Sequence, residues 1–219
     1  MPAIDNRPVG LLPTSVPMPR AVKSPEATRE KILQAAFAEF YRRGYQGGSL
    51  NDIIAEARVT KGCLFHHFDG KRALGLAVIE ELISARILEH WVKPLESSDD
   101  PVGDLKRILN GMTKDLRCEE KLARGCPLNN LAQEMSPLDE LFRKRIEKIY
   151  ALWRDAVAGA FERGLAAGTV RRGVNPERTG VFFVAAVAGV IGAAKNAQCP
   201  ELLRVSSLAL MEYLDTLAA

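Results

Sequence analysis

Histidine is scarce in this chain, with His66, His67 and His90 the only three among 219 residues. The sequence also has no HExxH zinc helix, no glycine-rich phosphate loop and no Ser, His, Asp order that fits a nucleophile elbow, so it reads as a non-enzyme. The four cysteines, Cys63, Cys118, Cys126 and Cys199, form no CxxC pair, and no apolar secretory core precedes them. They are expected to be reduced thiols of a cytoplasmic protein. The longest run without charge, Thr179 to Ala194, has 16 residues, short of the ~20 that span a bilayer, so it is expected to be a buried helix with no membrane partner. No repeat and no strand-like alternation of apolar and polar residues is present, which leaves an all-α fold.

Cys63, His66 and His67 fall within one helical turn and invite a metal reading. No second cluster of ligands accompanies them, so neither a metal nor a cofactor is expected.

What the chain does have is an uneven charge. Its net charge is only +3, but residues 1–72 hold 11 Lys/Arg against 7 Asp/Glu, and residues 73–219 hold 19 against 20. The positive excess lies in the first third, as a phosphate-binding surface requires. Residues 1–25 carry six of the twelve prolines and are expected to form a mobile arm, in which Arg7, Arg20 and Lys23 are positioned either for DNA or for solvent.

Residues Ser49 to Lys71 contain two short helical patterns about a tight break. Ser49 suits an N-cap, Asp52 three residues on suits a capping box, and Leu50, Ile53, Ile54 and Ala57 share one face. Beyond Arg58, Thr60 caps a second helix in which Leu64 and Phe68 point inward while Lys61, Cys63 and His66 point out. Such a pair is a helix-turn-helix, whose second helix fits a major groove. An ordinary αα-corner is the competing reading.

The order Thr60-Lys61-Gly62-Cys63-Leu64-Phe65-His66-His67-Phe68, followed by Lys71 and Leu74, resembles the DNA-binding signature of the tetracycline-repressor (TetR) family. Upstream, Ile32, Ala35, Ala36, Phe40, Gly44, Tyr45, Ile53, Ile54 and Ala57 sit where that family places core and turn residues. Three positions depart from it: Arg58 replaces a turn glycine, Phe65 a tyrosine and Cys63 a threonine or serine. The resemblance implies DNA contacts from Thr28, Arg29, Ser49, Thr60, Lys61, Gly62, Cys63, Phe65, His66, His67 and Lys71. It also implies about nine helices, divided into a helix-turn-helix domain over 26–70 and a ligand-binding and dimerisation domain over 71–219.

The residues agree with that division. Helix 26–44 braces the reader. A helix from Gly70 to about Val92 ties the reader to the body, and further helices follow from Pro101, near Leu128, from Ser136-Pro137, from Pro176 and after Pro200. The last two are too apolar for a lone protomer and are expected to pair with a second copy as a homodimer. Cys126 sits at a helix-start break beside Arg124, where its thiol pKa would be depressed. Lys195 is the only charge between Arg178 and Glu201 and needs water, a thiolate, a carboxylate ligand or Glu134 as a partner. The run from Arg124 to Met135 resembles TetR-type regulators that answer small electrophiles or short unsaturated acids, with Cys126 and Lys195 at matching places. Trp91, Met112, Asn129, Gln133, Phe142, Trp153 and Phe183 are the further candidates for an effector pocket.

Together these point to a ligand- or thiol-responsive repressor that binds a palindromic operator in double-stranded DNA. The contrasting reading is a helical interaction module or small-molecule binding protein without sequence-specific DNA binding.

Overall fold

The computed structural model describes residues 24–219, so the arm contacts expected of Arg7, Arg20 and Lys23 lie outside the described residues. Ten helical elements follow one another: α1 (Pro25–Gly47), α2 (Leu50–Ala57), α3 (Lys61–His67), α4 (residues 70–95), α5 (Pro101–Asp115), α6 (Glu119–Arg124), α7 (Pro127–Met135), α8 (Glu140–Ala167), α9 (Pro176–Ala197) and α10 (Pro200–Asp215). The nine expected helices are all there, and α6 is the addition, formed in the charge-dense stretch after α5. Among the described residues there is no strand, only a single bridge between Val170 and Ala218.

A polar cap followed by proline starts three of these helices. Ser24, Asp100 and Asn175 accept the N–H groups of Ala27, Gly103 and Arg178 at 3.1, 3.0 and 2.9 Å, each just ahead of a proline. The proline ring presets the helical φ at a position whose N–H has no partner within the helix. One expected start is wrong. Ser136-Pro137 does not open α8; residues 136–138 are a turn, and Asp139 caps the helix by accepting the N–H groups of Leu141 and Phe142. An aspartate that also binds Arg72 wins that role over a serine with no second partner.

Helix α4 is continuous but not uniform. Its α-helical turns are interrupted by π-helical segments at Val78–Ile83 and Leu88–Val92, and it ends in a 3-10 turn at Pro94. Such loosened turns inside α-helices concentrate at functional sites.

One core runs through the molecule. Ile32, Leu33, Ala36, Phe40, Ile53, Leu64 and Leu74 fill it under the reader, and Leu105, Phe142, Phe161, Phe183, Val187 and Leu203 fill it in the body. Helix α9 lies between α8 and α10. Gly180 makes the closest approach, since a Cβ there would stand 2.6 Å from the Arg154 carbonyl oxygen. Gly189 has nothing within 4 Å of such a Cβ, so it faces open space within one protomer. Among the described residues, α9 is also the one helix long and apolar enough to cross a membrane.

Candidate nucleic-acid interface and effector cavity

The helix-turn-helix is built as its sequence dictates, with one substitution in its wiring. The Ser49 hydroxyl accepts the Asp52 N–H at 3.4 Å. Asp52 does not return the bond: the Ser49 N–H goes to Glu39 at 3.2 Å, and Asp52 faces Arg43 at 3.5 Å. Glu39 is 2% exposed and also pairs with Arg42 and Arg43. Burial raises its carboxyl pKa, but the Arg42 and Ser49 bonds outweigh that and the net direction is down. A buried carboxylate thus replaces the capping box.

Arg58, where the resemblance expects glycine, takes the left-handed conformation with φ 53 and ψ 48. Thr60 then caps α3 by accepting the Cys63 N–H at 3.2 Å. Leu64 and Phe68 are buried, while Lys61, Gly62, Phe65 and His66 are exposed and Cys63 and His67 are half-buried. No set of three or more His, Cys, Asp or Glu side chains among the described residues is grouped to hold a metal.

Besides the capping Ser49 and Thr60, three more of the expected DNA contacts are already engaged within the protein. The Thr28 hydroxyl donates to the Ser24 carbonyl at 3.2 Å. Arg29 forms a two-pronged ion pair with Glu81 at 2.7 and 2.5 Å and lies over the Phe68 ring. Lys71 donates to the Gln46 carbonyl at 3.0 Å and covers the Tyr45 ring. Arg29 would have to give up a bidentate pair to reach a phosphate.

Further contacts fasten the reader and the first turn of α4 to the body. Arg72 in the first turn of α4 holds Asp139 at 2.6 and 2.9 Å. This pair, helped by the Phe142 and Leu141 N–H groups, holds the Asp139 carboxyl down at about 2. The Tyr41 hydroxyl donates to the Gly125 carbonyl at 2.6 Å, and burial raises that phenol to about 12. The Tyr45 ring packs on Phe142 with centroids 4.7 Å apart. Glu134 of α7 accepts the Tyr45 N–H at 2.9 Å and the Gln46 N–H at 2.7 Å. These N–H groups are free because α1 breaks at Gly44, where φ is +78. A Cβ at Gly44 would lie 3.0 Å from a Glu134 carboxylate oxygen.

Beside that clamp is a cavity of about 690 Å³. Phe37, Phe40, Tyr41, Arg42 and Arg43 of α1, Val78 and Ile83 of α4, the end of α6 at Ala123 and Arg124, α7, and Gly192 and Lys195 of α9 line it. Of the expected effector residues, Asn129, Gln133 and Lys195 are among the lining. The other six are not. Trp91, Trp153 and Phe183 fill the core against one another, with centroids 4.6 and 5.9 Å apart, and Phe142 is fully buried against Tyr45. The Trp153 indole N–H is buried there with no acceptor among the described residues. Met112 packs against the core from α5.

Cys126 stands at the start of α7, outside the lining, and its thiol pKa is raised, not depressed. Burial of the sulfur outweighs the opposing Asn129 and Leu128 N–H groups and the Lys195 charge. Lys195 pairs with neither Cys126 nor Glu134; its ammonium donates to Asn130 Oδ1 at 2.8 Å.

Helix periodicity could not reveal the α1 wall of this cavity, because the same apolar face also serves the reader's core. Glu134 is the functional candidate the sequence placed in the wrong partnership. The available signal was Gly44, whose break leaves N–H groups that need an acceptor.

Residues 32–78 match the model of the bacterial regulatory proteins of the tetR family, and residues 102–209 match the tetracyclin repressor-like C-terminal domain. An HTH-type transcriptional regulator encoded in the lacX 3′ region of Lactococcus lactis is 38% identical over 125 residues, covering 57% of this chain and 63% of that protein. The HTH-type transcriptional repressor DhaR of Mycobacterium sp. strain GP1 is 28% identical over 165 residues, covering 74% of this chain and 80% of DhaR. The crystal structure of a TetR regulatory protein from Rhodobacter sphaeroides superposes with a TM-score of 0.74 at 24% identity, covering 84% and 97% of the two chains. With reader and body each matched by a model of one family, the chain belongs to the TetR family of helix-turn-helix transcriptional regulators.

Proposed function

We propose that the protein is a homodimeric repressor that occupies an inverted-repeat operator and leaves it when a small molecule fills the cavity beside Glu134. The observation that carries the reading is α3, capped by Thr60 and anchored by Leu64 and Phe68, with Lys61, Gly62, Phe65 and His66 turned outward. In this reading residues 26–70 read DNA and residues 71–219 bind the effector and the second copy. Lys61 meets phosphate, and Thr60, Cys63 and His66 lie against phosphate or base edges. Two readers roughly 34–36 Å apart match one turn of DNA.

The second copy is expected on α9 and α10, where Val181, Phe182, Val205 and Leu208 are exposed and Phe182 packs edge-on against Tyr213. Apolar side chains gathered in this way fit an interface better than solvent. Repression is the direction carried by the similarity to DhaR. The site of action is the cytoplasm, where the operator is.

The test is binding of the DNA that flanks the protein's own coding region, followed by fluorescence anisotropy with excess non-specific competitor. Retention of a discrete site supports the reading, and loss of all binding to competitor overturns it. Thiol response is a separate arm of the proposal, resting on Cys126 next to the cavity. If a thiol-reactive agent releases the Cys126→Ser protein as readily as the wild type, Cys126 has no part in release.

A further inference from the structure

We infer that Glu134 is a positioning residue for DNA recognition: from α7 it holds the link between α1 and α2, and so sets where each reader stands and which spacing of half-sites fits. This role presupposes the palindrome-reading dimer proposed above.

The link, residues 44–49, depends on side chains for its hydrogen bonds. Gly44 leaves the helix at φ +78 and takes the N–H groups of Tyr45 and Gln46 out of the α1 ladder. Three side chains then hold the link from three directions. The Ser49 N–H goes to Glu39, inside the reader, at 3.2 Å. The Gln46 carbonyl accepts from Lys71, in the first turn of α4, at 3.0 Å. The Tyr45 and Gln46 N–H groups go to the two oxygens of Glu134 at 2.9 and 2.7 Å. Of the three, Glu134 alone comes from beyond α4.

Its grip is directional. Each carboxylate oxygen takes one N–H, so the link cannot slide past Glu134 or turn about it without losing a bond to a charged acceptor. Gly44 allows the close approach, since a Cβ there would stand 3.0 Å from Glu134 Oε2.

Helix α7 carries this grip between the two parts of the chain. Leu128, Leu131 and Met135 bury one of its faces, and it packs against both α1 and α8. Glu134 lies in its last turn and also lines the cavity. A displacement of α7 therefore acts on the start of α2 directly, by a route separate from α4 and its Arg72 pair with Asp139.

A half-site moved along the duplex is met only if a reader leaves its seat. In the wild type that movement breaks the Glu134 bonds, and without the carboxylate there are none to break. Helix α3, capped by Thr60 and anchored by the buried Leu64 and Phe68, keeps its own structure either way.

The test is fluorescence anisotropy of the full chain on three duplexes: the operator in the DNA flanking its coding region, that operator with one base pair inserted at its centre, and a single half-site. Glu134→Ala should bind the half-site as the wild type does. It should lose roughly 10-fold or more of the wild-type preference for the native spacing, the worth of one hydrogen bond to a charged group. Glu134→Gln retains one acceptor and should lie between the two, which keeps the test decisive if the alanine variant folds poorly. Leu105→Ala, a large-to-small change in the body core, destabilises the fold without touching the link and should keep the full preference. An unaltered preference in both Glu134 variants, an equal loss in Leu105→Ala, or a loss of half-site binding in Glu134→Ala overturns the positioning role and leaves the repressor reading standing. A wild type that binds no discrete site, or binds one without regard to spacing, overturns the palindrome-reading dimer and this role with it.

Discussion

Replacing Glu134 by alanine tests whether the body holds the reader in place through a single carboxylate. Two backbone N–H groups lose their acceptor, Tyr45 at 2.9 Å and Gln46 at 2.7 Å. A hydrogen bond to a charged group contributes about 1.5–3 kcal/mol net. Gln46 is exposed, so water replaces the acceptor there at little loss. Tyr45 is half-buried and packed on Phe142, which leaves its N–H less accessible. The two together place the cost near the lower bound for two such bonds, about 2–3 kcal/mol, a sizeable share of the roughly 5–15 kcal/mol that holds a domain folded. With a urea dependence of about 2–3 kcal/mol per molar, the unfolding midpoint should fall by roughly 1 M. The measurement is urea denaturation at fixed protein concentration, since association shifts apparent stability. Glu134→Gln retains one acceptor and should fall about half as far. A midpoint for the alanine variant indistinguishable from wild type would refute the clamp.

Arg58→Gly removes a side chain from a left-handed residue, where a Cβ costs about 1–2 kcal/mol, and adds back part of that as glycine's unfolded-state freedom, so a rise in melting temperature of about 1–3 °C is expected. A fall would assign the Arg58 side chain a contact of its own. Asp139 is held at about 2 by Arg72, below its ordinary 3.8, so the pair stabilises the fold above pH 4 and its contribution disappears as pH falls toward 2. The stability gap between wild type and Asp139→Asn, followed by urea midpoints from pH 6 to 2, should therefore narrow with acid, and a constant gap would remove the ion pair from the account. Lys61→Ala should weaken binding to every DNA sequence alike and flatten the logarithmic salt dependence by about one unit; an unchanged slope takes Lys61 off the phosphates. Phe182→Glu puts a charge on the exposed face of α9 and should convert a dimer to monomers in sedimentation equilibrium, and an unaltered mass would move the interface elsewhere.

The helices were legible because caps, prolines and a 3.6-residue period are local features. Ser49, Thr60 and Pro101 each act within a few residues of themselves. Which of the candidate residues line the cavity was not legible, for the opposite reason. Trp91, Trp153 and Phe183 look the same in a sequence whether they line a cavity or close it, and only the way α4, α8 and α9 meet decides that. Lys195 was correctly singled out as a cation in apolar surroundings, but its partner is Asn130, 65 residues away, and no periodicity encodes that distance. Asp139 was passed over for Ser136-Pro137 because the local signal of a serine before a proline is strong, while the reward for Asp139 comes from Arg72 in another helix.

The unbroken course of α4 has a geometric consequence. Residues 70–95 at about 1.5 Å each make a rod of roughly 39 Å. Swinging such a rod by about 5° around its Leu95 end carries its first turn, and Arg72 with it, through roughly 3.4 Å, the rise of one nucleotide step along a DNA strand. In the homodimer proposed above, two copies swinging in opposite senses would double the error in their separation. In the proposed dimer, an angular change smaller than the scatter among ordinary helix crossings would thus carry the two readers from matching their half-sites to missing them.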